Sequence, residues 1–434
     1  MSAEKDQVKV LKGKRLIDGN GGEPIQNAVM VIEGERIKEV GSEVKVSVPA
    51  GAEVIDMGDC TLMPGLIDCL TINPSQRREF FKNRRAANYE VPPQLMELHG
   101  LISCQIRFES GLTTLSDCRT HGSMYCEPYT AEMVAVRDAI NNGLFAGPRL
   151  LVAGMVSVTN GHQAWPRSYV RVPPDVTADG PWELRKLVRR ELRKQCDFIK
   201  TSAGGGIGSQ DSGPDIRDMT QEELDAIADE CHAFGKQCNC HCQTPETQKM
   251  AVRAGADVIY HIVFTDDEAI AMIKEANIAI IPTLAHRADK EIEDEVSEFI
   301  ASKRRRFQAV CFENFKKIHQ AGVRIAMGTA SYGLNDGSYE VELYVNHGMT
   351  HMEAIQTATK NAAEAIWLGN DTGTLDVGKY ADVIAVNGDP LVDIKLFQNR
   401  DNIRMVMKEG TVHIDKRKGH EKSVIQNWNW KIVD

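Results

Sequence analysis

Residues 197–242, DFIKTSAGGGIGSQDSGPDIRDMTQEELDAIADECHAFGKQCNCHC, contain the pattern that decides the fold. Short apolar runs stand at both ends, Asp197–Ala203 and Lys236–Cys242, and an amphipathic stretch, Gln221–Phe234, precedes the second run. Thr220 and Glu223 have the spacing of a capping box, which predicts that a helix begins there. A strand, a helix and a second strand in this order predict two parallel strands joined by a crossover helix.

The same alternation continues on both sides of this unit. From about residue 62, short apolar runs alternate with longer amphipathic stretches, and eight of the runs predict strands. The predicted strands are Leu62–Leu70, Thr113–Cys118, Arg149–Gly154, Asp197–Ala203, Lys236–Cys242, Val258–Val263, Ile278–Leu284 and Arg324–Thr329. Further helices are predicted at Trp182–Gln195, Ser302–Gln320 and His351–Leu368. Eight strands with helical crossovers predict an α/β fold of the (β/α)₈ barrel type.

The two ends of the chain have a different, purely β-like pattern. Short alternating runs separated by turn residues fill the first sixty residues, and they return after about Gly373. Neither end alone has enough strands to bury a core. We therefore expect residues 1–61 and 372–434 to form one discontinuous β-sandwich domain, into which the barrel of residues 62–371 is inserted.

Composition limits the classes of partner. The chain has 434 residues and a net charge of −10, which disfavours a nucleic acid as the partner. No window reaches the roughly 18 apolar residues of a membrane span, and residues 1–6 lack the apolar core of a signal peptide. The eleven cysteines do not form CxxC pairs, so we expect buried thiols rather than a zinc ribbon. A cytoplasmic location and a small-molecule substrate are the resulting expectations.

Motifs over nearly the whole chain resemble one family. They are the segments 63–68 (MPGLID), 199–205 (IKTSAGG), 254–261 (AGADVIYH) and 373–383 (GTLDVGKYADV), together with Gly161-His162. These segments are similar to the amidohydrolase superfamily, in its imidazolonepropionase-related and prolidase-like branch. The resemblance implies a metal-dependent hydrolase that acts on a carbon–nitrogen bond, and it also implies self-association into a homo-oligomer.

The resemblance further implies which residues hold the metal. Members of this superfamily bind one or two divalent ions at the carboxyl ends of the barrel strands. The ligands are a His-x-His pair on strand one, a lysine, often carbamylated, on strand four, and single histidines on strands five and six. An aspartate on strand eight is a further ligand and the catalytic base. Lys200, His241 and His261 match the lysine and the two single histidines.

The other ligand positions depart from the family pattern. Leu70 and Ile72 stand where the His-x-His pair is expected, and Ala330 stands where the aspartate is expected. Aliphatic side chains carry no lone pair with which to bind a metal. We therefore expect at most a mononuclear site, formed by Lys200, His241 and His261 around one divalent ion, with zinc as the expected metal, or no metal at all.

Three more residues are expected at the mouth of the barrel. The resemblance implies that the loop after strand three, which carries His162, faces the substrate. A histidine there can polarise a carbonyl or exchange a proton near neutral pH, so we expect His162 to be catalytic and to contact substrate. Arg119 follows strand two and has the planar fork that binds carboxylates. His286 follows strand seven and is expected to contact substrate.

Three functions stay open at this point. The first is hydrolysis of a carbon–nitrogen bond in an amide, a cyclic amide or a dipeptide-like molecule. The second is a lyase or isomerase reaction in which Lys200, desolvated among apolar neighbours, acts as a base or a Schiff-base nucleophile. The third is a catalytically inactive relative, since loss of the polar ligands relieves buried charge.

Overall fold

The computed structural model of the protein describes residues 8–71, 92–118, 129–162, 176–208, 213–288, 297–330 and 338–425. The strands are β1 Val8–Leu16, β2 Ile25–Glu33, β3 Arg36–Ser42, β4 Glu53–Asp56, β5 Thr61–Pro64, β6 Leu66–Thr71, β7 Leu112–Asp117, β8 Arg149–Met155, β9 Phe198–Ser202, β10 Cys238–His241, β11 Val258–Tyr260, β12 Ala279–Ile281, β13 Val383–Val386, β14 Ile403–Lys408 and β15 Thr411–Asp415. The α-helices are α1 Pro93–Glu109, α2 Tyr129–Asn141, α3 Pro181–Arg193, α4 Gln221–Ala233, α5 Pro245–Ala254, α6 Asp267–Glu275, α7 Leu284–Ala288, α8 Glu298–Gln320, α9 Ser338–Asn346, α10 His351–Thr357 and α11 Lys360–Ala365.

The strands from β6 to β12 form a parallel barrel in which the chain order is also the spatial order. The segment 324–330 closes the gap between β12 and β6. On one side the Ala326 N–H donates to the Ile280 carbonyl at 2.9 Å, and on the other the Ala330 N–H donates to the Leu70 carbonyl at 2.8 Å. This segment takes the place of the predicted eighth strand, although it pairs with β12 only through a bridge between Ile280 and Ile325. The predicted (β/α)₈ barrel is confirmed.

The predicted first strand, Leu62–Leu70, is wrong as a single element. The chain leaves one sheet and enters another at Gly65, so that β5 belongs to the terminal sheet and β6 to the barrel. A side chain at residue 65 would collide with Thr113, because a Cβ built there lies 2.1 Å from the Thr113 hydroxyl. The residues on both sides are buried in their own sheets, so hydrophobicity alone gives no sign of the break.

The second sheet combines strands from both ends of the chain, in the order β15-β14-β13-β5-β1-β2-β3, with β4 beside β1. β5 pairs in parallel with β1 and antiparallel with β13, so it joins the N-terminal strands to the C-terminal ones. One face covers a hydrophobic cluster that includes Leu11, Met30, Leu62 and Met405. This pairing supports the proposed discontinuous domain, whose boundaries remain a prediction.

The predicted helix His351–Leu368 is in fact two helices, α10 and α11, separated at Thr359 by a non-helical backbone (φ −132°, ψ −94°). Helix α11 packs against the amino ends of the barrel strands, where Gln237 donates to the Ala365 carbonyl at 2.8 Å. Asn361 donates to the Ile325 carbonyl at 3.0 Å on the same side. The floor of the barrel is therefore covered, and chemistry is expected at the opposite, carboxyl end.

Two further expectations concern the cysteines and the membrane. The ten cysteines within the described residues are free and buried, as expected for thiols that pack as small apolar groups. Among the helices that the structure describes, none is both long and apolar enough to span a bilayer.

Candidate active site

Three of the predicted site residues, His162, His241 and His261, lie together at the carboxyl end of the barrel. The ring centroids of His162 and His241 are 4.4 Å apart, and those of His241 and His261 are 4.6 Å apart. All three side chains are buried. They come from the loop after β8, the end of β10 and the residue after β11, which neighbouring parallel strands bring to one edge.

The backbone of His261 explains how its ring reaches this cluster. On a regular strand Tyr260 and His261 would point to opposite faces. His261 instead adopts a left-handed backbone with φ 69°, so both side chains turn toward the barrel interior. Nδ1 of His261 lies 2.7 Å from the Thr283 hydroxyl, which fixes the ring. A non-glycine residue in this conformation is uncommon and is typical of functional sites.

Lys200 lies one layer deeper than the histidines. In the β9–β10 register Lys200 pairs with Asn239, whereas His241 pairs with Ser202. The Lys200 Nζ donates to the Cys118 carbonyl at 3.2 Å and stands 4.9 Å from the centroid of the Tyr260 ring. Burial lowers the pKa of the amine to about 8, because the barrel interior disfavours its charged form.

This burial predicts a stability effect of Lys200→Met in the metal-free protein. Below pH 8 the Lys200 amine is charged although it is buried in the folded chain. In the unfolded chain the same amine is exposed to water, has a pKa of 10.5 and carries its charge without this penalty. Folding is therefore penalised by up to about 3 kcal/mol at pH 7, and the penalty fades as the pH rises toward 10.5. We expect chelator-treated Lys200→Met protein to have the larger free energy of unfolding at pH 7 but not at pH 10.5, by urea denaturation. If Lys200→Met were less stable than wild type at pH 7, the view that Lys200 is a buried amine without a stabilising partner would be wrong.

The glycine-rich loop after β9 supports two of the histidine rings. The Nε2–H of His241 donates to the Gly205 carbonyl at 3.2 Å. The backbone N–H of His162 donates to the Asp218 carboxylate at 2.6 Å, and burial raises the pKa of Asp218 to about 6. Gly206 lies directly against the His162 ring, since a Cβ built there would be 2.2 Å from the ring carbon Cε1.

The contact with Gly206 predicts that Gly206→Ala displaces the His162 ring. The clash is with a side chain that can rotate and not with backbone, so we expect a melting temperature close to wild type. If His162 is catalytic, kcat should fall by roughly 10²-fold, as for loss of a general acid or base. Gly208→Ala is the matched control, because a Cβ at residue 208 meets nothing within 4 Å. If Gly206→Ala and Gly208→Ala had equal activities, His162 would have no role in catalysis.

Two of the positions where the family pattern would place metal ligands are apolar in the structure. Leu70 and Ala330 are fully buried and belong to one hydrophobic cluster inside the barrel. Within the described residues, no group of three or more His, Cys, Asp or Glu side chains is arranged to hold a metal ion. Ile72, and Arg119 as the predicted carboxylate clamp, lie outside the residues that the structure describes.

Comparison with known proteins identifies the family. The profile of the amidohydrolase family matches residues 61–413, which is most of the chain. The chain belongs to this family. The resemblance predicted from the sequence motifs is thereby confirmed, and the chain stands among hydrolases of carbon–nitrogen bonds.

Individual relatives cover almost the whole of this amidohydrolase. Ochratoxinase from Aspergillus niger is 29% identical, over 94% of this chain and 87% of that protein. The crystal structure of that ochratoxinase superposes with a TM-score of 0.82, covering 96% of this chain and 97% of that one, at 26% identity. The structure of a Xaa-Pro dipeptidase with methionine bound in its active site superposes with a TM-score of 0.83 at 28% identity. The match covers 94% of this chain and 99% of the dipeptidase chain.

The residues of this amidohydrolase fit one metal ion better than two. The second site of a binuclear centre would need polar groups at residues 70 and 330, where leucine and alanine stand. One ion would be held by His241, His261 and Lys200. Burial and neighbouring positive charges keep the pKa of His261 well below its usual value, so its ring is neutral, as a metal ligand must be.

Glu340, on helix α9, is a buried residue near the barrel mouth that the sequence patterns did not indicate. Glu340 accepts the N–H groups of Leu284 and Ala285, at 2.7 and 2.5 Å, and so fixes the start of helix α7. Burial raises the pKa of Glu340 to about 8. His286, predicted to contact substrate, lies on α7 half-buried, and its charge helps to lower the pKa of His261. His286 was predicted because it follows a barrel strand directly.

Proposed function

We propose that this amidohydrolase hydrolyses a carbon–nitrogen bond in a small amide, cyclic amide or dipeptide-like substrate, with a single divalent metal ion, zinc being the expected metal. The observation that carries the proposal is the buried cluster of His162, His241 and His261 at the carboxyl end of the barrel. The dipeptide-like class is supported by the Xaa-Pro dipeptidase, whose structure holds methionine in its active site.

Each residue of the cluster has a separate role in this proposal. His241, His261 and Lys200 would hold the ion, which when bound supplies Lewis-acid polarisation and a water of lowered pKa. Thr283 orients the His261 ring through its hydroxyl, as outer partners of metal-binding histidines commonly do. The His162 ring lies against the His241 ring at a tilt of 32°, on the side of the glycine-rich loop, where it would donate to or accept from the substrate.

The proposal is tested by metal analysis combined with an activity panel. We expect about one zinc ion per chain in freshly purified protein, and turnover of at least one member of a panel of dipeptides, N-acyl amino acids and cyclic amides. Treatment with a chelator should remove the activity, and zinc should restore it. Activity that persists after complete removal of the metal would contradict the single-metal proposal.

Lys200 supports a second candidate, a lyase or isomerase that works without metal. Its amine is buried beneath the histidine cluster, and its lowered pKa leaves a substantial neutral fraction near pH 8. A neutral amine can attack a carbonyl and form a Schiff base. Borohydride treatment with a carbonyl substrate would trap a covalent adduct on Lys200, which mass spectrometry detects. If no adduct forms and hydrolysis is sensitive to chelator, the first candidate is favoured. If the protein shows neither hydrolysis nor adduct formation, it is a catalytically inactive relative.

A further inference from the structure

Arg287 is a buried arginine at the mouth of the barrel that none of the functions above uses. It lies on α7, which follows β12 at the carboxyl end of the barrel, and its side chain is only 3% exposed. Four residues earlier, Thr283 contacts the His261 ring. Arg287 therefore lies at the same end of the barrel as the histidine cluster.

The surroundings of Arg287 place it above the proposed site. Its guanidinium contacts the thiol of Cys311 on helix α8. Cys311 packs in one buried cluster with Ile207, from the loop after β9, and Val263, from the loop after β11. These loops also carry Gly206, which lies against the His162 ring, and His261, a member of the histidine cluster. Helix α8 is held over this region, because Asn314 donates to the Val263 carbonyl at 2.6 Å.

The charge of Arg287 is not neutralised by a direct ion pair within the described residues. Glu340 is the carboxylate that acts on it, and it does so by charge at a distance rather than through a hydrogen bond. The two Glu340 oxygens already accept the N–H groups of Leu284 and Ala285. A buried guanidinium whose hydrogen-bond partner among the described residues is a thiol, and not a carboxylate, retains the capacity to bind an anion.

We infer that Arg287 binds a carboxylate group of the substrate and thereby selects substrates in which a carboxylate stands near the scissile carbon–nitrogen bond. The inference rests on the proposed function and deepens it. An arginine offers two parallel N–H donors to a carboxylate, and this geometry orients the substrate as well as binding it. A neutral analogue would leave the buried guanidinium without its partner and should therefore be rejected.

The test compares N-acetyl amino acids with their N-methylamides, which differ in the charge of the terminal group. For wild-type protein we expect kcat/KM for the carboxylate form to exceed that for the amide form by roughly 10²-fold or more. Arg287→Met should remove this preference, mainly by raising KM for the carboxylate form, with little change for the N-methylamide. Arg287→Lys should keep part of the preference, because it retains the charge and loses the planar fork.

Arg137→Met is the matched control, since Arg137 is also largely buried but pairs with Asp197, which precedes β9 at the amino end of the barrel. It should keep the wild-type preference. An equal loss on both substrates in Arg287→Met, or an unchanged preference, would overturn the inference. Calorimetric binding of the N-acetyl amino acids separates the two proposals. If nothing is hydrolysed but wild-type protein binds them and Arg287→Met does not, the hydrolase proposal fails while the role of Arg287 stands.

Discussion

Replacing His241 by alanine is expected to remove the bound metal ion and to lower kcat/KM by roughly 10³-fold or more, the scale of several kcal/mol of lost transition-state stabilisation. His241 is the central ring of the cluster, within 4.6 Å of both neighbouring ring centroids. Its loss leaves one imidazole and one amine, too few ligands for a four-coordinate ion. Elemental analysis and steady-state kinetics on the same preparation measure the two effects.

His232→Ala is the control for this substitution. His232 lies at the end of helix α4 on the outside of the barrel, is 39% exposed and pairs with Asp257. The control should keep the metal and the activity of wild type. Retention of a full equivalent of metal by His241→Ala would show that the ion is bound elsewhere, and the mononuclear site would then be wrong.

Restoring the family ligands should produce a second metal site. We expect the triple variant Leu70→His, Ile72→His, Ala330→Asp to bind two divalent ions per chain and to gain roughly 10²- to 10⁴-fold in kcat, the range that a positioned general base contributes. Ala330 has φ 47°, a conformation that aspartate adopts more readily than most residues, so the backbone already suits the substitution. Metal stoichiometry and kcat are the measurements.

The matched control carries Asn in place of Asp at residue 330. It has nearly the same shape and can bind metal through its amide oxygen, but it cannot remove a proton. We expect it to gain metal with little gain in rate. A triple variant that still binds no more than one ion would mean that the barrel mouth has diverged beyond these three side chains.

The apolar replacements have a structural consequence as well as a chemical one. Leu70 and Ala330 join the hydrophobic cluster inside the barrel, with Tyr260 and Ile281 among its members. Buried carboxylate and imidazole ligands without a second ion would cost stability, whereas these side chains pack without that cost. Leu70 and Ala330 are therefore part of the hydrophobic core of the barrel.

The sequence by itself determined the barrel and the contribution of both termini to one sheet. These features follow from local patterns. The spacing of apolar residues along a segment indicates which face is buried and therefore whether the segment is a strand or a helix. The capping box of Thr220 and Glu223 forms as predicted, because its partners are three residues apart. The substitution at Ala330 is visible without any structure, since the residue type alone excludes a ligand.

Only the tertiary structure decided which side chains meet. Closure of the barrel brings together residues that are distant in sequence, so local periodicity could not show that the His162 ring contacts the His241 ring. The left-handed backbone of His261 reverses the strand alternation and turns its ring inward, which no regular pattern predicts. Arg287 looks like an ordinary loop arginine in the sequence. Its significance arises from its burial beside Cys311, where the surrounding chain leaves its charge without a direct ion pair within the described residues.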